Sequence, residues 1–214
     1  MNGVNYRDLR FKNNVELFSQ LACTPENGIP IVRPEKWVET EFVGFNFAKT
    51  AKRRQGVGVH FFLDDYQFER IWTQMPKVVQ TLKDFDACTT PDFSTYTDWP
   101  LPVQKWNMYR NHAIGAYMQS LGMRVYYSTI WTGDESSFDW CFEGAPVGGC
   151  VAVSAIGTQR FYQREFMRGY DAMLERLQPE TIIFYGPVPK ECRGSIVRVK
   201  AFQDKWNEAK MAGW

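Results

Sequence analysis

GVGVHFFLDDYQFERIWTQMPKVVQTLKDFDACTTPDFS, residues 56–94, holds a complete strand–helix–strand unit, and its reading decides the fold. The run VGVHFFLDD (57–65) is rich in β-branched and aromatic residues and ends on two carboxylates. Residues 66–83 then place Phe68, Ile71, Trp72, Val78, Val79 and Leu82 at roughly helical spacing, and Pro76 among them predicts a bend or a restart. A second β-rich run, DACTTPDFS (86–94), follows directly. Two strands joined through a helix run parallel, because the helix carries the chain back along the sheet before the next strand begins.

The same alternation continues outward. Further strands are expected at MRVYYSTIW (123–131), CVAVSAIG (150–157), TIIFYGP (181–187) and, more weakly, SIVRV (195–199), with EFVGFNFA (41–48) as an earlier one. After the proline-rich start WPLPVQ, Trp106, Tyr109, Ala113, Tyr117 and Leu121 mark a helix that ends at Gly122, a natural C-cap. Further helices are expected over 135–142, 158–177 and 201–211, with Pro179 stopping the second. The fold class is therefore α/β: a mainly parallel sheet of about six strands alternating with helices, either partial-barrel-like or open and doubly wound. The single-faced order of the units favours the barrel-like form. Residues 1–40 read as an N-terminal extension packed on a single α/β domain formed by 41–214. They carry an amphipathic segment from Tyr6 to Leu21 and then an irregular stretch with Pro25, Gly28, Pro30 and Pro34.

Composition removes several classes. With 44% hydrophobic residues in 214, the chain can bury a sizeable core, which excludes intrinsic disorder. The net charge of +1 provides no global pull toward nucleic acid or anionic lipid. That near-neutral total hides an acidic middle, since residues 55–157 carry six Lys/Arg against eleven Asp/Glu. Cys23, Cys88, Cys141, Cys150 and Cys192 are odd in number and mostly set in apolar runs, so they read as reduced thiols of a cytoplasmic protein. No apolar stretch has the length of a spanning helix, so no membrane partner is expected.

In parallel α/β folds, function collects beyond the carboxyl ends of the strands, where loops converge and helix amino termini point inward. That rule selects Asp64 and Asp65 after the first strong strand, and Thr90, Asp92 and Ser94 after the second. It also selects Trp131, Ser154 and Tyr185 after later strands. Asp64, Asp65 and Asp92 can together hold a hard cation, Mg2+ or Mn2+, or serve as acid and base. The plainer reading makes Asp64 or Asp65 a helix N-cap and Asp92 an Asx-turn residue. Gln104, Asn107, Arg110 and Asn111 form a polar stripe on the following helix. Its first three members can orient a ligand at the strand ends, or the whole stripe can be a solvated face.

Basic residues recur at Arg160, Arg164 and Arg168 and in the run Lys49, Lys52, Arg53 and Arg54, where they read more simply as solvated charge than as phosphate contacts. His60, inside an apolar strand, reads as a core histidine. There is no dinucleotide-binding GxGxxG after a strand, no GxxxxGK[ST], no GxSxG, no HExxH and no CxxC. No NAD, haem or zinc is therefore expected.

At HFFLDDYQFERIW (60–72), TTPDFSTY (89–96), QKWNMYRN (104–111), VAVSAIGT (151–158) and FMRGYDAMLERLQPETIIFYG (166–186), the chain resembles DUF4417, a family of uncharacterised bacterial, archaeal and phage proteins. The likeness covers about residues 55–190. It implies an intracellular protein often borne by phages or other mobile elements and carries no established reaction. The leading functional expectation is a metal-dependent enzyme acting on a nucleotide or nucleic-acid phosphate, with Asp64, Asp65 and Asp92 on the metal. The alternative is a non-catalytic protein that sequesters a nucleotide-like ligand or blocks a host protein. A metal-independent enzyme acting on a sugar, with two of the carboxylates as acid and base, is a third reading.

Overall fold

The structure, a computed structural model, describes residues 13–158 and 161–201. Seven strands form one sheet: β1 (Glu41–Gly44), β2 (Val57–His60), β3 (Ala87–Thr89), β4 (Val125–Ser128), β5 (Cys150–Ser154), β6 (Thr181–Tyr185) and β7 (Ile196–Val199). Their order in the sheet is their order in the chain, and every pair is parallel. Register pairs Glu41 with Val57, Val59 with Cys88, Thr89 with Tyr126 and Ile183 with Val197. A doubly wound sheet would reverse its order part-way, and this one does not.

The sheet curls into a nearly closed barrel. His60 on β2 and Tyr185 on β6 stand four strands apart in the sheet, yet their ring centroids are 4.3 Å apart. On a flat sheet the separation would be roughly 19 Å. Alternation along the strands sorts the two faces. Phe42, Ala87, Tyr126, Cys150, Ala152 and Ile183 meet inside the barrel. Val57, Val59, Cys88 and Val125 point outward into one helix-covered core, and Tyr127, Val151, Val153, Ile182 and Phe184 into another. Both faces are buried, so the strands read as continuous apolar runs in place of an in/out pattern.

The helices follow the sequence with informative shifts. In chain order α1 is Val15–Phe18, α2 Phe45–Ala48, α3 Asp65–Phe68, α4 Arg70–Thr73 and α5 Met75–Leu82, so residues 65–82 break into three short helices, α3 to α5. The restart falls just before Pro76, because proline fits the first turn of a helix, where its missing N–H costs nothing. Helix α6 (Leu101–Ser120) begins earlier than its apolar spacing suggests, using Pro102 in its first turn. A 3-10 turn covers Glu135–Asp139, and α7 runs over Gln163–Leu177. The helix expected over 201–211 lies, beyond Ala201, outside the described residues, as do Arg160 and the Tyr6 end of the amphipathic segment.

The amino-proximal end of the barrel is plugged. Trp37 stacks on Phe42 at 6.4 Å and leans on Tyr126 at 5.7 Å, while the Val38 N–H donates to the Tyr126 hydroxyl at 3.1 Å. The same segment is stitched to β5, whose Cys150 N–H donates to the Glu35 carbonyl at 2.7 Å. Gly149 permits that approach: its φ is +69°, and a Cβ there would lie 2.8 Å from the Glu35 carbonyl oxygen. Space inside the barrel is therefore left at the carboxyl ends of the strands.

Candidate functional site

A cavity of about 930 Å³ occupies that end, within the size range of small-molecule sites. Asp64, Asp92, Ser94, Trp131, Ser154 and Tyr185 line it. Asp65, Thr90, Gln104, Asn107 and Arg110 do not. The division has a physical reason, because the second group supports the loop from Pro91 to Trp99, which carries Asp92 and Ser94.

Asp65, in the first turn of α3, accepts from the Ser94 N–H at 3.2 Å and from the Ser94 hydroxyl at 2.9 Å. Burial pushes its carboxyl up from the ordinary range, while Ser94, through both bonds, and Arg110 pull it back. Asn107 donates to the Ser94 carbonyl at 2.6 Å. Arg110 donates to Asn107 Oδ1 at 2.6 Å and pairs with Glu69 at 2.7 Å, with its guanidinium 3.8 Å from the centre of the Phe93 ring. Gln104 donates to the Trp99 carbonyl at 2.7 Å, and Asn111 donates to the Pro91 and Ser128 carbonyls at 2.9 and 3.1 Å. All four stripe residues are buried, so this helix face is neither solvated nor turned to the cavity. It grips the segment from Pro91 to Trp99 from behind. Thr90 acts likewise, accepting from the Ser128 N–H at 2.7 Å and locking β3 to β4.

Asp92 lines the cavity from the loop that follows β3. Burial pushes its carboxyl up to about 7, the Asp65 carboxylate adds to the rise, and the Ser128 hydroxyl opposes it. Ser128 lies close enough for that effect without adopting formed hydrogen-bond geometry. The cavity leaves Asp92 some solvent access, so it is a carboxyl that changes charge near neutrality where a ligand can reach it. Asp64 is exposed at the start of α3, where its backbone carbonyl accepts from the Gln67 N–H; its side chain meets Gln67 Nε2 at 3.4 Å and does not cap the helix. Among the described residues no three His, Cys, Asp or Glu side chains group as a set able to hold a metal ion. Both Asp65 oxygens accept from Ser94.

The remaining wall is aromatic. Tyr185 stacks on Phe62 at 5.3 Å and 16° and packs on His60, while Trp131 leans on Phe166 at 5.5 Å. Trp131 is seated by Gly169 of α7, where a Cβ would fall 2.2 Å from the indole. His60 is buried, as its apolar setting suggests, yet it also lines the cavity. Sequence reasoning missed that second role, along with Phe62 and Thr129. Only the inward parity of His60 on β2, counted from an outward Val59, could have signalled it.

Fold and site define a parallel β/α protein with a nearly closed barrel and a ligand-sized, aromatic-walled cavity at the carboxyl ends of its strands. The chain belongs to the family described as domain of unknown function DUF4417, whose family model matches residues 23–203. Among curated relatives, the Gene 1 protein of Mycobacterium phage L5 is 33% identical over 183 residues, covering 84% of this chain and 80% of that protein. The Gene 1 protein of Mycobacterium phage D29 is also 33% identical over 183 residues, covering 84% and 67%. These relatives make the family a phage-type one. No solved structure matches the chain. No helix among the described residues is long and apolar enough to cross a membrane.

Proposed function

We propose that the protein binds a ring-bearing small molecule of nucleoside or nucleotide size in the mouth of its barrel, with Asp92 as the recognising group. The observation supporting this is the 930 Å³ cavity, walled by Phe62, Trp131 and Tyr185 and reached by one carboxyl poised near neutrality. Sites of this kind combine apolar walls with a few placed polar groups. Mass spectrometry of molecules released from the purified full chain tests it. A ring compound that accompanies wild type and not Asp92→Asn is expected. An empty cavity, together with no thermal shift from any nucleoside or nucleotide, refutes it.

A rival reading draws on Asp64 and Asp92 lining one cavity. Mg2+ is often held by one or two carboxylates plus substrate phosphates, so a metal-dependent enzyme acting on a nucleotide or nucleic-acid phosphate needs only that pair. A thermal midpoint that rises with Mg2+ or Mn2+ in wild type but not in a D64N/D92N double variant would favour it.

A further inference from the structure

The hydroxyls around the cavity share an orientation that bears on what it can hold. All five serine and threonine hydroxyls among the described lining residues have already donated their hydrogen. Thr129 gives it to the Ala152 carbonyl at 3.2 Å, Ser154 to the Tyr185 carbonyl at 3.1 Å and Thr158 to the Ala155 carbonyl at 2.9 Å. Thr95 gives it to the Trp131 carbonyl at 3.2 Å, and Ser94 gives it to Asp65 at 2.9 Å. A hydroxyl has one hydrogen and two lone pairs, so each of these presents only acceptor capacity inward.

The carboxyls of Asp64 and Asp92 add more acceptors and negative charge; among the described lining residues one lysine, Lys200, carries positive charge, and the neutral side chains of Asn46, His60, Gln67, Tyr96 and Tyr185 can donate. An ionised phosphate brings only acceptors and negative charge, so it is repelled by the carboxyls and takes no hydrogen from the five hydroxyls. A flat ring edged with N–H groups matches it well, because its donors meet the carboxyl while its faces continue the Phe62–Tyr185 stack.

Resting on the reading above that the barrel mouth is a small-molecule site, we infer that its ligand is a nitrogenous base, free or as a nucleoside. Its amino and imino hydrogens are read by Asp92, and phosphate is no part of what is recognised. The burial that raises the Asp92 carboxyl to about 7 supports this, since a carboxyl can pair with a donor–donor edge when charged and a donor–acceptor edge when neutral.

The test uses the full chain in EDTA, with calorimetric titration of adenosine, guanosine, cytidine and uridine, their 5′-triphosphates, and glucose. At least one nucleoside is expected to bind at least tenfold more tightly than its triphosphate. Asp92→Asn is expected to weaken that nucleoside about 10- to 100-fold, the worth of one charge-assisted hydrogen bond. Phe62→Leu, which keeps the acceptors and removes the stack, should weaken it less. A cooperative thermal transition for each variant shows that it has folded.

If a triphosphate binds as tightly as its nucleoside, if glucose alone binds, or if Asp92→Asn binds unchanged, the inference falls while the small-molecule site stands. If none of the probes binds and no ring compound accompanies the purified protein, both fall.

Discussion

Replacing Asp92 by Asn should remove a pH dependence of stability that wild type carries between pH 4 and 8. The carboxyl is held near 7 in the folded protein, against 3.8 for an unperturbed side chain. Between those values the folded state binds the proton more tightly than the unfolded chain does, so stability falls as pH rises through the window and the loss is complete above 7. For one such group, the change from pH 5 to pH 8 amounts to about 2–3 kcal/mol. In a chain of this length that corresponds to a midpoint shift of about 5–10 °C.

The assay is urea denaturation of wild type and Asp92→Asn at pH 5, 6, 7 and 8, reading the difference between the two at each pH so that other titrating groups cancel. The variant should gain on wild type steadily as pH rises. A difference that stays constant within about 0.5 kcal/mol, the usual additivity error, would refute the claim that this carboxyl is desolvated.

Three further outcomes follow from other parts of the fold. His112 is fully buried between the Pro30 carbonyl and the Tyr127 hydroxyl, and burial lowers it to about 4. Below its ordinary 6.5 the unfolded chain binds the proton first, so wild type should lose up to about 3 kcal/mol as pH falls from 6.5 to 4. His112→Gln should flatten that limb in the same urea assay. Arg110→Ala leaves Asn107 Oδ1 without its donor and Phe93 uncovered, but Glu69 is partly solvated. The expected cost is therefore about 2–4 kcal/mol, below or at the lower end of that for a fully buried pair, with faster proteolysis between residues 91 and 99. Among the thiols, Cys23 is exposed, Cys192 is half-buried, and Cys88, Cys141 and Cys150 are buried. Labelling with a thiol reagent under native conditions should therefore modify Cys23 first, Cys192 slowly, and the other three only on unfolding.

Much of the architecture was legible because parallel strands buried on both faces must be apolar throughout, and the helices between them must repeat every three or four residues. VGVHFFLDD, TIIFYGP and the Trp106-to-Leu121 spacing all carry that signal locally. The weak runs at 41–48 and 195–199 proved to be the two edge strands, whose single neighbour asks less of their sequence. The end of the barrel at which the cavity lies was legible too, because chain direction alone decides which strand ends gather the loops.

Individual roles were not legible. Asp64 and Asp65 are adjacent and identical in type, yet one opens to the cavity and the other is held by Ser94, because successive residues at a helix start point in different directions. The stripe Gln104, Asn107, Arg110 and Asn111 has the composition of a solvated face. Only the position of α6 against the loop from Pro91 to Trp99 turns it inward, where backbone carbonyls satisfy it.

By itself, then, the sequence determined the alternation of strands and helices, their parallel sense and the end at which the loops gather around the cavity, since these depend on local propensity and chain direction. Closure of the sheet, the meeting of His60 with Tyr185, the burial that raises Asp92 and the acceptor-rich lining were decided only by the tertiary structure. Each depends on which distant side chains exclude water from a given atom, and spacing along the chain does not encode that.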